Sequence, residues 1–125
     1  MYCVYILRSL NRSYIGMTND FLKRWMQHNQ YIKGGAKYTT NYNTYWEPIC
    51  IVDGFKNKSE AMQCEWKLKR VKGYYNRLKN LSKIYYNQDK WTSNSPLIKH
   101  QNLTIYILNQ YKHIFDYNTK ELFFF

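Results

Sequence analysis

No stretch of this 125-residue chain approaches the ~18–20 consecutive apolar residues that a membrane-crossing helix needs. Its first strand-like run, residues 2–7, is too short for the apolar region and cleavage site of a secretion signal. Cysteine is sparse: Cys3, Cys50 and Cys64 are odd in number, scattered, and form no C-x-x-C pair. The three histidines, His28, His100 and His113, lie far apart, so zinc-finger spacing is absent and a reducing, intracellular setting is the simpler expectation. Acidic side chains are scarce as well. Asp and Glu number 8 against 19 Lys and Arg, a formal net charge of +11. That balance favours an anionic partner, nucleic acid foremost, against the alternative of a merely solvated lysine surface.

What the chain has instead is apolar and aromatic weight. Apolar residues make up 45% and aromatics 19%, with 14 tyrosines, too much for a disordered basic tail and enough for one small globular domain. Tyr2-Cys-Val-Tyr-Ile-Leu7 and Ser13-Tyr-Ile-Gly-Met17 are β-rich runs joined by the polar turn Ser9-Leu-Asn-Arg12, which predicts a hairpin. If residues 8 and 13 pair, partner numbers sum to 21, and Tyr5, Leu7, Tyr14 and Gly16 share one face. Val4, Ile6, Ile15 and Met17 form the other, wholly apolar face, expected to be the core. The tyrosine face carries a glycine that leaves room for something.

Thr18-Asn-Asp20 offers caps for a helix over residues 21–29, with Phe21, Leu22, Trp25 and Met26 on its apolar arc and Arg24 and His28 side by side at the edge. A glycine-containing loop with cations and hydroxyls, Lys33-Gly-Gly-Ala-Lys-Tyr-Thr-Thr40, follows. A third strand is expected over residues 46–52, closed by Asp53-Gly54, then a helix capped by Ser59 and running to about residue 72. Its apolar side is Ala61, Cys64, Leu68 and Val71, and Glu65 falls inside that arc. A carboxylate there should be paired, protonated or metal-bound. Beyond Gly73 a helix is expected over about 74–85, Ser93-Asn-Ser-Pro96 marks a break, and residues 103–115 fit helix or strand equally. The terminal Phe123-Phe-Phe125 should be buried or bound.

Taken singly, each of these features has an ordinary explanation: tyrosines on half-buried strands, an exposed helix edge, a buried ion pair. Their order is more telling. Tyr5 on the first strand, Tyr14-Ile15-Gly16-Met17-Thr18 on the second, Arg24 to His28-Asn29 on the helix, Gly34-Gly35-Ala36-Lys37, Trp46, and Glu65-Trp66 together resemble the GIY-YIG nuclease superfamily over roughly residues 1–75. Within it the chain is most similar to the branch of Slx-type subunits that cut branched DNA and of small stand-alone bacterial and viral members. It departs in reading Cys3-Val4-Tyr5 where a glycine usually opens the first motif. It also lacks ligands for the zinc module with which cellular Slx-type subunits dock a scaffold partner, which leaves the protein partner open.

The resemblance implies an α/β domain of α+β type, a small antiparallel three-stranded sheet flanked by helices. Residues 1–75 would be the nuclease core and 76–125 a basic, tyrosine-rich extension packed on it. It implies a DNA endonuclease in which Glu65 is the sole protein ligand of one Mg²⁺ or Mn²⁺, Arg24 steadies the phosphorane charge, and Tyr5 is the general base, its pKa lowered by the metal, Arg24, Arg8 or Lys37. His28 and Tyr14 would relay a proton or orient water and phosphate. An asparagine after the metal-ligand helix is expected at Asn76 or Asn80. DNA would be tracked by Arg8, Lys37, Thr39, Lys67, Arg70 and Arg77, with Lys69, Lys72 and Lys79 in the same basic stretch. The substrate would be branched, flapped or nicked duplex in repair, recombination or replication, in the nucleus, the cytoplasm or a viral replication site. A silent nucleic-acid-binding module and a sequence-preferring nickase of a mobile element are the rival readings.

Overall fold

In the computed structural model, residues 1–42 and 44–123 are described. β1 (Tyr2–Ser9) and β2 (Arg12–Thr18) form the expected hairpin, and Tyr5 pairs with Gly16 and Leu7 with Tyr14, so partner numbers do sum to 21. The connection is tight: Leu10 takes a left-handed φ of 56°. Asp20 caps α1 (Phe21–His28) by accepting from the Lys23 amide at 3.3 Å. The cationic loop is helical at its end, as α2 (Lys37–Asn41).

β3 (Glu47–Phe55) runs past the expected stop at Asp53-Gly54. Gly54 sits at φ +111°, close enough to the Asn102 carbonyl that a Cβ would lie 2.9 Å from it, and the pairing with β1 shifts register there so that Phe55 is buried. Asn57, rather than Ser59, caps α3 (Lys58–Leu68), accepting from the Glu60 amide at 2.9 Å while its own amide donates to Glu60 Oε2 at 3.1 Å. This helix stops at Leu68, short of residue 72. Gly73, at φ +86°, then opens α4 (Tyr74–Asn87).

The sheet has five strands, not three, in the order β2-β1-β3-β4-β5. β4 (Thr104–Ile107) lies antiparallel to β3, and β5 (Thr119–Glu121) parallel to β4. The ambiguous stretch 103–115 divides into strand β4 and a 3-10 turn at Asn109–Ile114, which is why neither period won in the sequence. Phe123 is exposed; Phe124 and Phe125, expected to be buried or bound, lie outside the described residues.

Both faces of the sheet are covered. Val4, Ile6 and Ile15 pack with Ala61, Cys64 and Leu68 of α3 and Leu78 and Leu81 of α4 in the larger core. The tyrosine face, where the glycine was expected to leave room, is closed by α1: Cys3, Tyr5 and Leu7 form a second core with Trp25 and Trp46. All three cysteines are free and buried, and burial, with Asp53 nearby, raises the Cys3 thiol to about 12. Among the described residues no helix is long and apolar enough to cross a membrane.

Candidate active site

Tyr5 sits mid-strand on β1 with its ring toward α1 and is 1% exposed. The room left by Gly16 is for Tyr5 itself: a Cβ at Gly16 would lie 2.6 Å from Tyr5 Cζ and 3.0 Å from Tyr14 Cε2. Tyr5 Oη lies 2.7 Å from His28 Nε2, and His28 Nδ1 lies 2.8 Å from Thr39 Oγ1. Thr39 spends its only hydroxyl proton on the Ala36 carbonyl at 2.9 Å. It must therefore accept from His28 Nδ1–H, which leaves Nε2 as an acceptor for the Tyr5 hydroxyl proton. The imidazole tautomer follows from this chain of partners.

The frame around the chain is equally specified. Trp46 Nε1 donates to the Thr39 carbonyl at 3.0 Å, Trp25 Nε1 donates to the Trp46 carbonyl at 2.8 Å, and the Trp46 amide donates to Asn29 Oδ1 at 2.7 Å. α1, α2 and the entry to β3 are thus held in one buried network. Arg24 uses Nη1 on the Gly34 carbonyl at 2.6 Å and on Gln27 Oε1 at 2.9 Å. Its charge still reaches the ring cluster. Burial lowers His28 to about 4, and the Arg24 guanidinium adds to that. Burial also raises Tyr5 well above the usual phenol range, with Tyr14 adding and Arg24 opposing, and burial raises Tyr14. At neutral pH, then, the proton rests on Tyr5 and His28 is a neutral acceptor.

Glu65 does not lie in the buried arc. Ala61, Cys64 and Leu68 fill that stripe, while the Glu65 side chain is 21% exposed at its edge, with Lys69 Nζ 3.4 Å from its carboxylate. It is close enough to Tyr14 to favour the protonated phenol. The buried carboxylate of α3 is Glu60, which hydrogen-bonds to the capping Asn57 and pairs with Lys56 at 3.6 Å. The sequence signal for it was the Asn three positions earlier.

The expected DNA-contacting residues divide. Lys37 is exposed on α2. Thr39 is fully buried, so its place is to fix His28 rather than to touch DNA. Arg8 points to the opposite face of β1, donating to the Leu10 carbonyl and the Tyr111 hydroxyl and stacking 3.9 Å from the Tyr74 ring centroid, too far around the sheet to act on Tyr5. Arg77 donates to Ser13 Oγ at 2.8 Å and to the Val71 carbonyl at 2.7 Å. It lines a concavity of about 530 Å³ beside Tyr14 and Tyr38, with Arg12, Lys69 and Lys72. Lys67 lines a separate hollow of about 870 Å³ with Trp66 and Trp91, and Arg70 lies 4.5 Å over the Trp66 ring. Asn76 is exposed near the start of α4, and Asn80 is half-buried one turn on.

The small mixed sheet thus brings together a buried Tyr–His–Thr chain, an arginine and one edge carboxylate. The family model described as the GIY-YIG catalytic domain matches residues 1–80, and the chain belongs to that family. It is 47% identical over 75 residues to the structure-specific endonuclease subunit slx1 of Talaromyces stipitatus, covering 56% of this chain and 19% of the relative. It is 50% identical over 68 residues to the same-named protein of Phaeosphaeria nodorum, covering 52% and 19%. For that of Schizosaccharomyces japonicus the figures are 46% over 69 residues, 52% and 25%. The chain thus spans about a fifth to a quarter of the length of these relatives.

Proposed function

We propose that the chain is a DNA endonuclease dependent on one Mg²⁺ or Mn²⁺, acting on branched, flapped or nicked duplex in repair, recombination or replication. The observation that carries this reading is the tautomer-locked line from Tyr5 through His28 to Thr39, laid beside Arg24.

The residues fit a hard cation. Among the described residues Glu65 pairs with a partly exposed lysine that an ion could displace, and it belongs to no group of three metal-ligating side chains. One carboxylate suits an ion that keeps most of its water. Glu65 would hold it, and the bound ion supplies positive charge for the scissile phosphate and the leaving 3′ oxygen.

The protein's own groups do the rest. Arg24 presents a guanidinium fork to the non-bridging oxygens as charge builds on phosphorus. Tyr5 Oη takes a proton from the attacking water as its own proton passes to His28 Nε2, which His28 can accept because it is neutral. The water oxygen bonds to phosphorus and the phosphorus–3′ oxygen bond breaks. Lys37, Lys69, Lys72 and Arg77 track the backbone.

Labelled flap, fork, Holliday-junction and plain duplex DNA, incubated with Mg²⁺ or Mn²⁺, test the proposal. Cutting of the branched substrates is expected, and no cutting of any of them would overturn it. Affinity should also fall steeply with salt, by about 0.9 in log–log slope for each phosphate contacted on duplex DNA. A flat dependence would argue against a nucleic-acid substrate.

A further inference from the structure

The concavity beside the catalytic tyrosines joins two chemistries. Aromatic and cationic side chains line it together, Tyr14 and Tyr38 alongside Arg12, Lys69, Lys72 and Arg77. Tyr14 and Tyr38 are near-parallel, with centroids 6.2 Å apart and planes at 23°. Tyr42 meets Tyr38 edge-on at 5.3 Å, and Arg12 lies 4.0 Å over the Tyr42 ring. Tyr38 also leans on Trp46 at 6.0 Å, yet it stays 43% exposed and Tyr42 38% exposed. At about 530 Å³ the space falls within the range of ligand pockets.

Alternating aromatic faces and cations is the arrangement that holds single-stranded nucleic acid, because every base has a π-face and every nucleotide a phosphate. In an intact duplex those base faces are covered by stacking. An aromatic wall can therefore engage only a base that has left the stack, while the cations serve paired and unpaired strands alike. Tyr14 lines this concavity and also stands beside His28, with ring centroids 4.8 Å apart, so a nucleotide held here is next to the reacting phosphate.

We infer that Tyr38, supported by Tyr42, forms a stacking subsite for one unpaired nucleobase adjacent to the scissile phosphate, and that this subsite sets the preference for branched over continuous duplex. The inference rests on the nuclease reading above and names the residue that makes that site selective. Tyr38 touches no reacting atom; it acts on substrate choice.

The test is equilibrium binding of the full chain, without divalent metal, to plain duplex, to a flap, and to the same flap with abasic residues at the unpaired positions next to the junction. Wild type should prefer the intact flap, and removing those bases should cost it about tenfold, the scale of one base–aromatic stack. Tyr38→Ala should lose about tenfold on the intact flap, lose nothing further on the abasic flap, and bind plain duplex within twofold of wild type. Tyr38→Phe and Tyr38→Trp should keep the flap preference, and retained duplex affinity shows that each variant is folded. Equal losses by Tyr38→Ala on duplex and flap would overturn the inference, because the contact would then be to the backbone. An undiminished abasic penalty in Tyr38→Ala would overturn it too, since the base would stack elsewhere. Cutting, scored separately with Mn²⁺, reports on the nuclease proposal: a flap preference that depends on Tyr38 in a chain that never cuts would sink that proposal and leave only the stacking subsite, without its place beside a scissile phosphate.

Discussion

The two faces of β1 are built on different terms although they share one backbone. Val4 and Ile6 meet aliphatic side chains from α3 and α4, and the larger core they join is filled chiefly by carbon. Cys3, Tyr5 and Leu7 point the other way into a core of equal dryness, but one in which Tyr5, Trp25, His28, Thr39 and Trp46 each end in a satisfied hydrogen bond. The aliphatic face tolerates small shifts, because dispersion and burial have no direction. The polar face does not, because each donor has one acceptor and a displaced ring strands both. Non-directional packing thus dominates one side and directional hydrogen bonding the other, and the proposed chemistry lies on the directional side.

The largest expected effect breaks the polar face alone. Tyr5→Phe should fold, bind DNA and cut at least ~10²-fold more slowly, as loss of a proton acceptor predicts. Arg24→Ala should be at least as damaging and Arg24→Lys should restore little, because the planar fork is lost. Near wild-type cutting by Tyr5→Phe in a gel assay would remove the phenol from the reaction.

The converse substitution attacks the aliphatic face. Leu81→Ala in the larger core should cost about 2–5 kcal/mol in urea unfolding, while the rate per folded molecule stays within twofold. A fall in that rate matching the fall in stability would mean that the two faces are not separable.

A third measurement uses pH. His28 is fully buried and its pKa is depressed from an ordinary 6.5 to about 4. An unfolded chain takes up the proton first, so the contribution of His28 to stability is complete above pH 6.5 and is lost as pH falls through about 4. The loss should approach about 3 kcal/mol at its limit, and His28→Gln should flatten the acid limb of the stability curve. An unchanged acid limb in that variant would place the pH dependence elsewhere.

The smallest effect on stability concerns Glu65 at the edge of α3. A partly exposed i,i+4 pair contributes about 0.3–0.5 kcal/mol. Glu65→Gln should therefore leave metal-free melting nearly unchanged while abolishing cutting and any Mn²⁺-induced stabilisation. A loss of several kcal/mol without metal would make the carboxylate structural first.

The hairpin register, its two faces and the spacing of Arg24 and His28 on one helix were readable along the chain, because period-two alternation and helical spacing are local, but His28, expected at the edge of the apolar arc, is fully buried. Four things were not readable. Whether the tyrosine face stayed open depended on where α1 docks, which no local pattern states. The depth of Glu65 depended on which neighbours fill the stripe beside it: a helical wheel gives an angle, but the neighbouring elements decide how far burial extends around it. Within residues 103–115, whose own periodicity favoured nothing, β4 formed on the unpaired backbone groups at the open edge of β3, and β5 then paired with β4. Thr39 is the clearest case. In the sequence it is one hydroxyl in a polar, cationic loop, and only the folding of α2 against α1 brings it within 2.8 Å of His28 and so selects the nitrogen that faces Tyr5. Local sequence determined which side chains share a face; long-range packing decided which of them are dry, and a proton's position depends on that dryness.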